Sequence, residues 1–468
     1  MTRLASNNPI PRFLSPFLLL LGMLFYAAAA FAGVPPNIVI IFLDDSGWSD
    51  FHPFGNPPYA TPNVERLAAE GCRYNSFFVP QAVCSASRAA LLTGCYPERT
   101  SIFGALRPEE RGLDPKFATM AEVLKKRGYK TALFGKWHIG DQPETRPQAR
   151  GFDESAGLMY SNDMWDMWGA NPALRPEWKQ YPLQYWENGV VTCNRLTSEF
   201  QKTLTSRSAA QSIDFIQRHK AAPFLLYVPF SMPHVPLFCS DAFKGKSGAG
   251  LYGDVILELD DSIGKIMASL KSNGLEENTI VIMSSDNGPW AAYGNHAGRT
   301  PFREAKATSF DGGTQSALII KYPGKIKAGT SSDAMFCSVD LLPTLCQLTG
   351  APLPENKIDG KDVWPLISGQ PEAKNPHAYY PVTLFKNLEA VMSGDGRWKL
   401  HFPHDYDHVA VAGMDGAKGK YEKRSIEMSL FDLKNDPRET TNVISQHPEV
   451  ADLLKRLAKE HKKNFFHD

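Results

Sequence analysis

Cys84 opens the run Cys84-Ser85-Ala86-Ser87-Arg88, which continues into Leu91-Leu92-Thr93-Gly94. The spacing sets a thiol one helical turn before a guanidinium, at what reads as a loop-to-helix junction. Small residues surround the cysteine, so a ligand can approach it closely. Taken alone, the pattern fits a buried cysteine beside a helix N-terminus equally well. Its chemistry depends on what the rest of the chain brings to it.

Two further pairs carry oxygen donors. Asp44-Asp45 and Asp286-Asn287 offer three carboxylates and an amide oxygen, with no soft ligand among them. Such a set suits calcium or magnesium rather than zinc. Either pair alone reads as an ordinary turn. Two adjacent acids at the end of a fully apolar strand, however, carry an electrostatic cost that a cation would offset. Lys136 and His138 follow a strand end two residues apart and can face one side. His234 lies in Ser231-Met232-Pro233-His234-Val235-Pro236, a loop stiffened by its prolines. Lys306 lies in the run from Arg303 to Gly313, ahead of a strand from Ser316 to Ile320. A lone lysine is ordinarily a solvated charge and a lone histidine ordinarily structural, so these groups matter only as a set.

The elements that must position them are legible. Asn37–Leu43 is a continuous apolar run, as in a strand buried on both faces, and it ends in Asp44-Asp45. Thr131–Phe134 runs into Gly135-Lys136-Trp137-His138, Phe224–Val228 leads toward His234, and Thr279–Met283 leads into Asp286-Asn287. Open α/β sheets bind ligands beyond the carboxyl ends of such strands. Helices alternate with them. One starts at Thr61-Pro62 and closes at Gly71; Thr119 and Glu122 make a capping box for another; Leu251, Val255, Ile256, Leu259, Ile263 and Ile266 keep helical spacing along a longer one. The fold class is therefore α/β, a large, mostly parallel sheet with helices on both faces. From about Asn375 the chain changes to short mixed segments, a polar stretch from Gly413 to Gly419, and a last amphipathic helix through Val450, Leu453, Leu454 and Leu457. This reads as a small antiparallel sheet with a packed helix.

The motif Cys-x-Ala-Ser-Arg followed by Leu-x-Thr-Gly resembles the signature of type I sulfatases, in the alkaline-phosphatase superfamily. The resemblance covers the chain from residue 33 onward and includes a Leu430-Phe431-Asp432-Leu433 strand. It implies that Cys84 is oxidised to formylglycine by a separate maturation enzyme, and that the hydrated aldehyde is the nucleophile. It further implies one divalent ion, Ca2+ or else Mg2+, held by Asp44, Asp45, residue 84, Asp286 and Asn287. Lys136, His138, His234 and Lys306 become the groups that grip the sulfate and move protons, and Arg88 the one that polarises the nucleophile. Gly157-Leu158-Met159-Tyr160-Ser161-Asn162-Asp163-Met164 is similar to the arylsulfatase A and N-acetylgalactosamine-6-sulfatase branch, which makes Ser161 and Asn162 candidates for substrate contact. The implied substrate is a sulfated carbohydrate, with aryl sulfates accepted. Trp165, Trp168, Trp178 and Trp186 are candidates to stack on it, or to pack their own loop. Where family members often carry an arginine two residues after the paired glycines, this chain has Gln315.

Acidic and basic residues number 50 each, so whole-chain charge points to neither nucleic acid nor a membrane surface. Arg3 and Arg12, an apolar run from Phe13 to Tyr26, and Ala30-Phe31-Ala32 read as an export signal cleaved after Ala32. No stable membrane anchor is expected. The expected organisation is a signal over 1–32, a catalytic domain over 33–374 and a C-terminal subdomain over 375–468, in a periplasmic or secreted protein, or a lysosomal-type one in a eukaryote. Seven cysteines leave six besides Cys84, with no pairing readable. Two rival readings are a metal-dependent phosphatase or phosphodiesterase of the same superfamily and a glycan-binding relative without catalysis.

Overall fold

The structure is a computed structural model and describes residues 1–2, 34–167 and 181–466. The segment read as an export signal, and Trp168 and Trp178, lie outside the described residues. Residues 36–466 belong to one compact unit.

The main sheet is built from β1 (Asn37–Leu43), β2 (Cys72–Phe78), β3 (Lys130–Lys136), β4 (Glu154–Leu158), β5 (Tyr185–Glu187), β6 (Val190–Cys193), β7 (Phe224–Pro229), β8 (Thr279–Ser285), β9 (Gln315–Lys321), β10 (Thr330–Ser332) and β11 (Phe336–Cys337). Their order is β10-β2-β9-β8-β1-β7-β3-β4-β5-β6, with β11 also on β2. The central five, β8-β1-β7-β3-β4, are mutually parallel. Antiparallel pairs join β9 to β8 and to β2, and β5 to β4 and β6.

Both faces of this sheet are covered. The helices that bear on the site and its supports are α1 (Pro62–Glu70), α2 (Cys84–Thr93), α3 (Met120–Lys126), α4 (Leu204–His219), α5 (Gly250–Ser272) and α6 (Pro448–Phe465). Ile38, Ile40 and Phe42 of β1 point to a core that includes α2 and α3. Val39, Ile41 and Leu43 point to the opposite core, with α1, α4 and α5. That alternation, in a strand apolar at nearly every position, is why β1 reads as one unbroken hydrophobic run.

Local signals held with one difference. The capping box at Thr119 and Glu122 is present at the start of α3. Thr61 stands at the N-cap of α1 beside Pro62, but its side chain makes no cap bond. Its hydroxyl accepts from the His52 amide instead, and the Asp260 carboxylate on α5 accepts from the Asn63 and Val64 amides, with Val64 at 2.8 Å. The helix N-terminus is thus satisfied from across the fold, in a way short-range sequence cannot show. Gln315, in place of an arginine, donates from its amide to the Asn75 carbonyl and ties β9 to β2.

The C-terminal strands form two smaller sheets. Strands β12 (Tyr379–Leu384), β13 (Asn387–Ser393), β14 (Trp398–His401), β15 (His404–Val411), β16 (Lys420–Ile426) and β17 (Ser429–Asp432) make a four-stranded antiparallel sheet, β12-β13-β14-β17, and a two-stranded ribbon, β15-β16. Helix α6 packs Ala451, Leu454 and Ala458 on the four-stranded sheet against Val391, Leu400 and Leu430. All seven cysteines are unpaired, and six of them are buried.

Two glycines let the strand ends converge. Gly135 and Gly157 face each other across β3 and β4, with φ of 143° and 149°. A Cβ on Gly157 would lie 1.7 Å from the Gly135 carbonyl oxygen, and one on Gly135 would lie 1.9 Å from that of Pro229. Gly157→Ala should therefore cost on the order of 3 kcal/mol and lower the melting temperature by several degrees. Thermal unfolding followed by circular dichroism checks this; an unchanged midpoint would contradict the close approach.

Candidate active site

The carboxyl ends of the five central strands meet above one point. β1 is followed by Asp44 and Asp45, β8 by Asp286 and Asn287, β3 ends in Lys136 with His138 just beyond, β4 leads to Ser161 and Asn162, and β7 to His234. Cys84 and Arg88 come from the first turn and a half of α2, which is buried throughout. Lys306 comes from the loop before β9. All of these residues are buried except Lys306, which is half-buried with its side chain 8% exposed.

The charges are interleaved. Asp44 accepts from Lys136 Nζ at 2.5 Å and faces Arg88 Nη2 at 3.5 Å. Arg88 grips Asp286 Oδ2 through Nη2 at 2.8 Å and Nε at 3.1 Å, and donates from Nη1 to the Lys136 carbonyl at 3.1 Å. Asp45 pairs with Lys306 Nζ at 2.7 Å and faces His234 Nε2 at 3.4 Å. Cys84 Sγ lies between Lys306 Nζ at 3.3 Å and Asp44 Oδ1 at 3.6 Å. The Asp45 amide donates to Asp286 Oδ1 at 3.1 Å. Asp45 and His138 both adopt φ of 61°, a left-handed conformation that non-glycine residues hold only where surroundings enforce it. The adjacent acids therefore meet side-chain cations directly, not only a prospective metal.

These neighbours set the protonation states. Burial would raise the Asp44 carboxyl, but Lys136, then Arg88, His234 and Lys306, hold it well below the usual carboxylate range. Burial and the Asp44 charge push Asp286 up to about 7, against Arg88. Burial pushes the Cys84 thiol up to about 12, so an unmodified cysteine here is a protonated, unreactive thiol at neutral pH. Burial, then Lys136 and Arg88, drives His138 well below the ordinary histidine value. Its Nε2–H donates to the Leu106 carbonyl at 3.0 Å, and its buried Nδ1 has no partner. The ring is a neutral base with one open nitrogen. Burial also lowers His234, with Asp45 opposing. Its Nδ1–H is taken by the Val235 carbonyl at 2.5 Å, which leaves Nε2 toward Asp45 and Ser161.

A cavity of about 350 Å³ opens onto the cluster. Cys84, His138, Ser161, His234 and Lys306 line its floor, and Arg107, Asp163, Trp290, Phe385, Asp407, Lys418 and Tyr421 its walls. Ser161 accepts from Lys136 Nζ at 3.2 Å. Asn162 does not line this space: its amide donates to the Pro236 carbonyl at 3.0 Å and so braces the His234 loop. Trp165 is buried core, its indole donating to the Leu196 carbonyl, and Trp186 lines a neighbouring cavity. The aromatic wall is Trp290 instead, which lies three residues after Asn287 with its ring 5.4 Å from that of His234 and tilted 57° to it.

The family model described as Sulfatase matches residues 36–351, and one described as N-sulphoglucosamine sulphohydrolase, C-terminal, matches residues 305–465. The chain belongs to the sulfatase family. Arylsulfatase A of Bos taurus is 36% identical over 91% of this chain and 86% of its own length. N-acetylgalactosamine-6-sulfatase of Mus musculus is 34% identical over 93% and 88%. Among solved structures, the PsFucS1 sulfatase from Pseudoalteromonas sp. superposes with a TM-score of 0.83 at 26% identity, covering 98% of this chain and 96% of that one. The fold is accordingly the alkaline-phosphatase-like one, and this sulfatase is a sulfuric ester hydrolase.

Sulfatases use a divalent metal and a formylglycine, and the residues present fit the metal. Ligand atoms of Asp44, Asp45, Cys84 and His234 all lie within 4.8 Å of one another. The buried Asn287 Oδ1 has no hydrogen-bond partner, while its Nδ2 donates to Asp45 Oδ1 at 2.7 Å. An orphaned amide oxygen beside three carboxylates is a donor set for a hard cation. Calorimetric titration of Ca2+ and Mg2+ into chelator-treated sulfatase should give one site per chain. Asn287→Ala should weaken it roughly tenfold or more, the loss that disturbing even an outer-shell partner produces. Undiminished affinity in that variant would remove Asn287 from the site.

Proposed function

We propose that this sulfatase hydrolyses sulfated carbohydrates through a formylglycine made from Cys84, with one Ca2+ held by Asp44, Asp45, residue 84, Asp286 and Asn287. The observation that carries this reading is the place of Cys84 Sγ, buried at the head of α2 between Lys306 and Asp44 and one turn before Arg88. A bound cation would add fixed positive charge for the sulfate oxygens. Formylglycine, as its hydrate, supplies one oxygen to attack sulfur and a second whose deprotonation expels sulfate.

The chain's own groups do the rest. Lys136 and Lys306 are cations fixed in a water-poor pocket, where each counts for more against a sulfate oxygen than in solvent. His234 presents Nε2 to the cavity and is the proton donor to the departing alcohol. An anionic ester beside it favours the protonated ring. Lys306 shares the charge that builds on that alcohol oxygen. His138, neutral with Nδ1 open, takes the proton of the second hydroxyl. Arg88 holds Asp286 and the Lys136 carbonyl and keeps the nucleophile's surroundings in register.

The cavity walls support a sugar. Trp290, Phe385 and Tyr421 offer aromatic faces, and Asp163 and Asp407 offer acceptors for hydroxyls. The name of the mouse relative, N-acetylgalactosamine-6-sulfatase, is that of an enzyme for such a sulfated sugar. Among the described residues one cluster of ligating side chains is close enough to hold an ion, and it contains a single histidine. That favours a one-metal sulfatase over a two-zinc phosphatase. No helix among the described residues is long and apolar enough to cross a membrane. We place the enzyme outside the cytoplasm on the pattern of residues 1–32 and in company with its maturation enzyme.

Cys84→Ser should fold with an unchanged melting temperature yet fail to turn over, because serine lacks the second hydroxyl. Multiple turnover in that variant would overturn the assignment, and peptide mass spectrometry across residue 84 reads the conversion directly. Phe385 is 52% exposed, so Phe385→Ala should cost little stability. It should raise KM for N-acetylgalactosamine 6-sulfate several-fold, in line with a lost ring contact worth about 1 kcal/mol, and leave KM for 4-nitrophenyl sulfate within twofold. Equal effects on both substrates would remove the ring from sugar recognition.

A further inference from the structure

The loop that carries Lys306 is gripped from behind by a buried ionic cluster. Lys399 on β14 donates from Nζ to Asp311 Oδ1 at 2.6 Å and lies 3.1 Å from Glu439 Oε1. Glu439 also accepts from the Asp311 amide at 2.8 Å and pairs with His401 Nε2 at 2.8 Å. Arg303, at the start of the loop, donates from Nη1 to the Glu439 carbonyl at 2.7 Å and from Nη2 to the Tyr406 hydroxyl at 2.9 Å. Its guanidinium lies 4.1 Å over the Phe310 ring, which stacks on His401 at 4.8 Å. Lys399, His401 and Glu439 are fully buried, and Asp311 is 2% exposed. Glu304 and Ser309 add contacts to His408 and His404 on the ribbon.

The other side of the same loop touches the reaction centre. The Lys306 amide donates to the Pro289 carbonyl and the Ala307 amide to the Ala82 carbonyl, both at 3.0 Å. Gly312 fits only without a side chain: a Cβ there would lie 2.1 Å from the Glu304 oxygen. Glu304, Ala307 and Glu439 have φ of 55°, 63° and 52°. The loop is therefore threaded between the turn after Asn287 and the approach to Cys84, in a backbone form it would not hold unaided.

Buried ion pairs add little stability over well-packed apolar side chains, and what they can supply is a single geometry. We propose that Glu439, with Lys399, Asp311 and Arg303, is a positioning clamp that fixes Lys306 at the leaving-group oxygen. The cluster touches neither substrate nor metal and acts only through the loop. This inference rests on the charge-sharing role assigned above to Lys306.

The test uses two aryl sulfates, phenyl sulfate with a poor leaving group and 4-nitrophenyl sulfate with a good one. A lysine that shares leaving-group charge helps the poor one more. The ratio of their kcat/KM values is independent of how much enzyme is correctly folded, so a merely structural role would not move it. In the converted, metal-loaded enzyme, Lys306→Ala should widen the ratio about tenfold. Glu439→Gln should widen it at least threefold with the fold retained. Should Glu439→Gln not fold, Arg303→Met, on the half-buried side of the clamp, takes its place with the same expectation. If Lys306→Ala widens the ratio but the clamp variants slow both substrates equally, or slow neither, the clamp is overturned and the role of Lys306 stands. If Lys306→Ala leaves the ratio unchanged, the charge-sharing role itself fails, and the clamp with it.

Discussion

Asp44 is the constraint on which the site depends. It is removed from water, and an isolated carboxylate there would be costly. Lys136 and Arg88 meet it from two directions, Arg88 passes on to Asp286, and the Asp45 amide returns to Asp286. Lys306 closes the arrangement at Asp45 and Cys84. Three carboxylates and three permanent side-chain cations thus neutralise one another in a space none could occupy alone. Removing any one leaves an opposite charge buried without its partner, which is why the set must arrive together. The parallel sheet makes that possible, because neighbouring strands end side by side and each delivers its polar residue to the same rim.

The same balance explains the readiness of the site for its substrate. With the charges already paired, an anionic ester would meet no net attraction, but a divalent cation would tip the pocket positive. Asn287 Oδ1, just past the end of β8, has no partner, and Asp286 beside it, though gripped by Arg88, is held up to about 7 by burial and Asp44. The metal, in this view, is the last charge in a nearly balanced set rather than the sole remedy for two adjacent acids.

How much of this was legible in the sequence follows from how local each cause is. β1, β3, β7 and β8 announce themselves as apolar runs ending in polar residues, since burial on both faces leaves no alternation to disguise them. β2 (Cys-Arg-Tyr-Asn-Ser-Phe-Phe) does not, because Arg73, Asn75 and Ser76 are only half-buried beside the sheet edge. The cap on α1 comes from Asp260, almost two hundred residues away, and the aromatic wall comes from Trp290 rather than from the tryptophan-rich segment, where Trp165 fills core. Asn162 was legible as a neighbour of the site but not as a brace for His234. The clamp was not legible: Lys399 and His401 alternate with Trp398 and Leu400, the pattern of a strand with one wet face, yet both are buried.

Strain and charge act here as one device. Asp45, His138, Glu304, Ala307 and Glu439 all sit at positive φ without being glycine, and each either holds a reacting group or holds the loop beneath one. Conformations of this kind cost about 1–3 kcal/mol each and persist only where the surroundings over-determine them. The surroundings that do so differ. For Asp45 and His138 they are the main sheet and its charge lattice. For Glu304 and Ala307 they are the C-terminal sheets, reached through Arg303 and Asp311. On the proposed roles, loss of those sheets would leave Cys84, Arg88 and the oxygens after β1 and β8 on the main sheet and α2, yet remove what holds Lys306 in place. On the clamp proposed above, the C-terminal sheets are then a component of the reaction centre rather than an attachment to it.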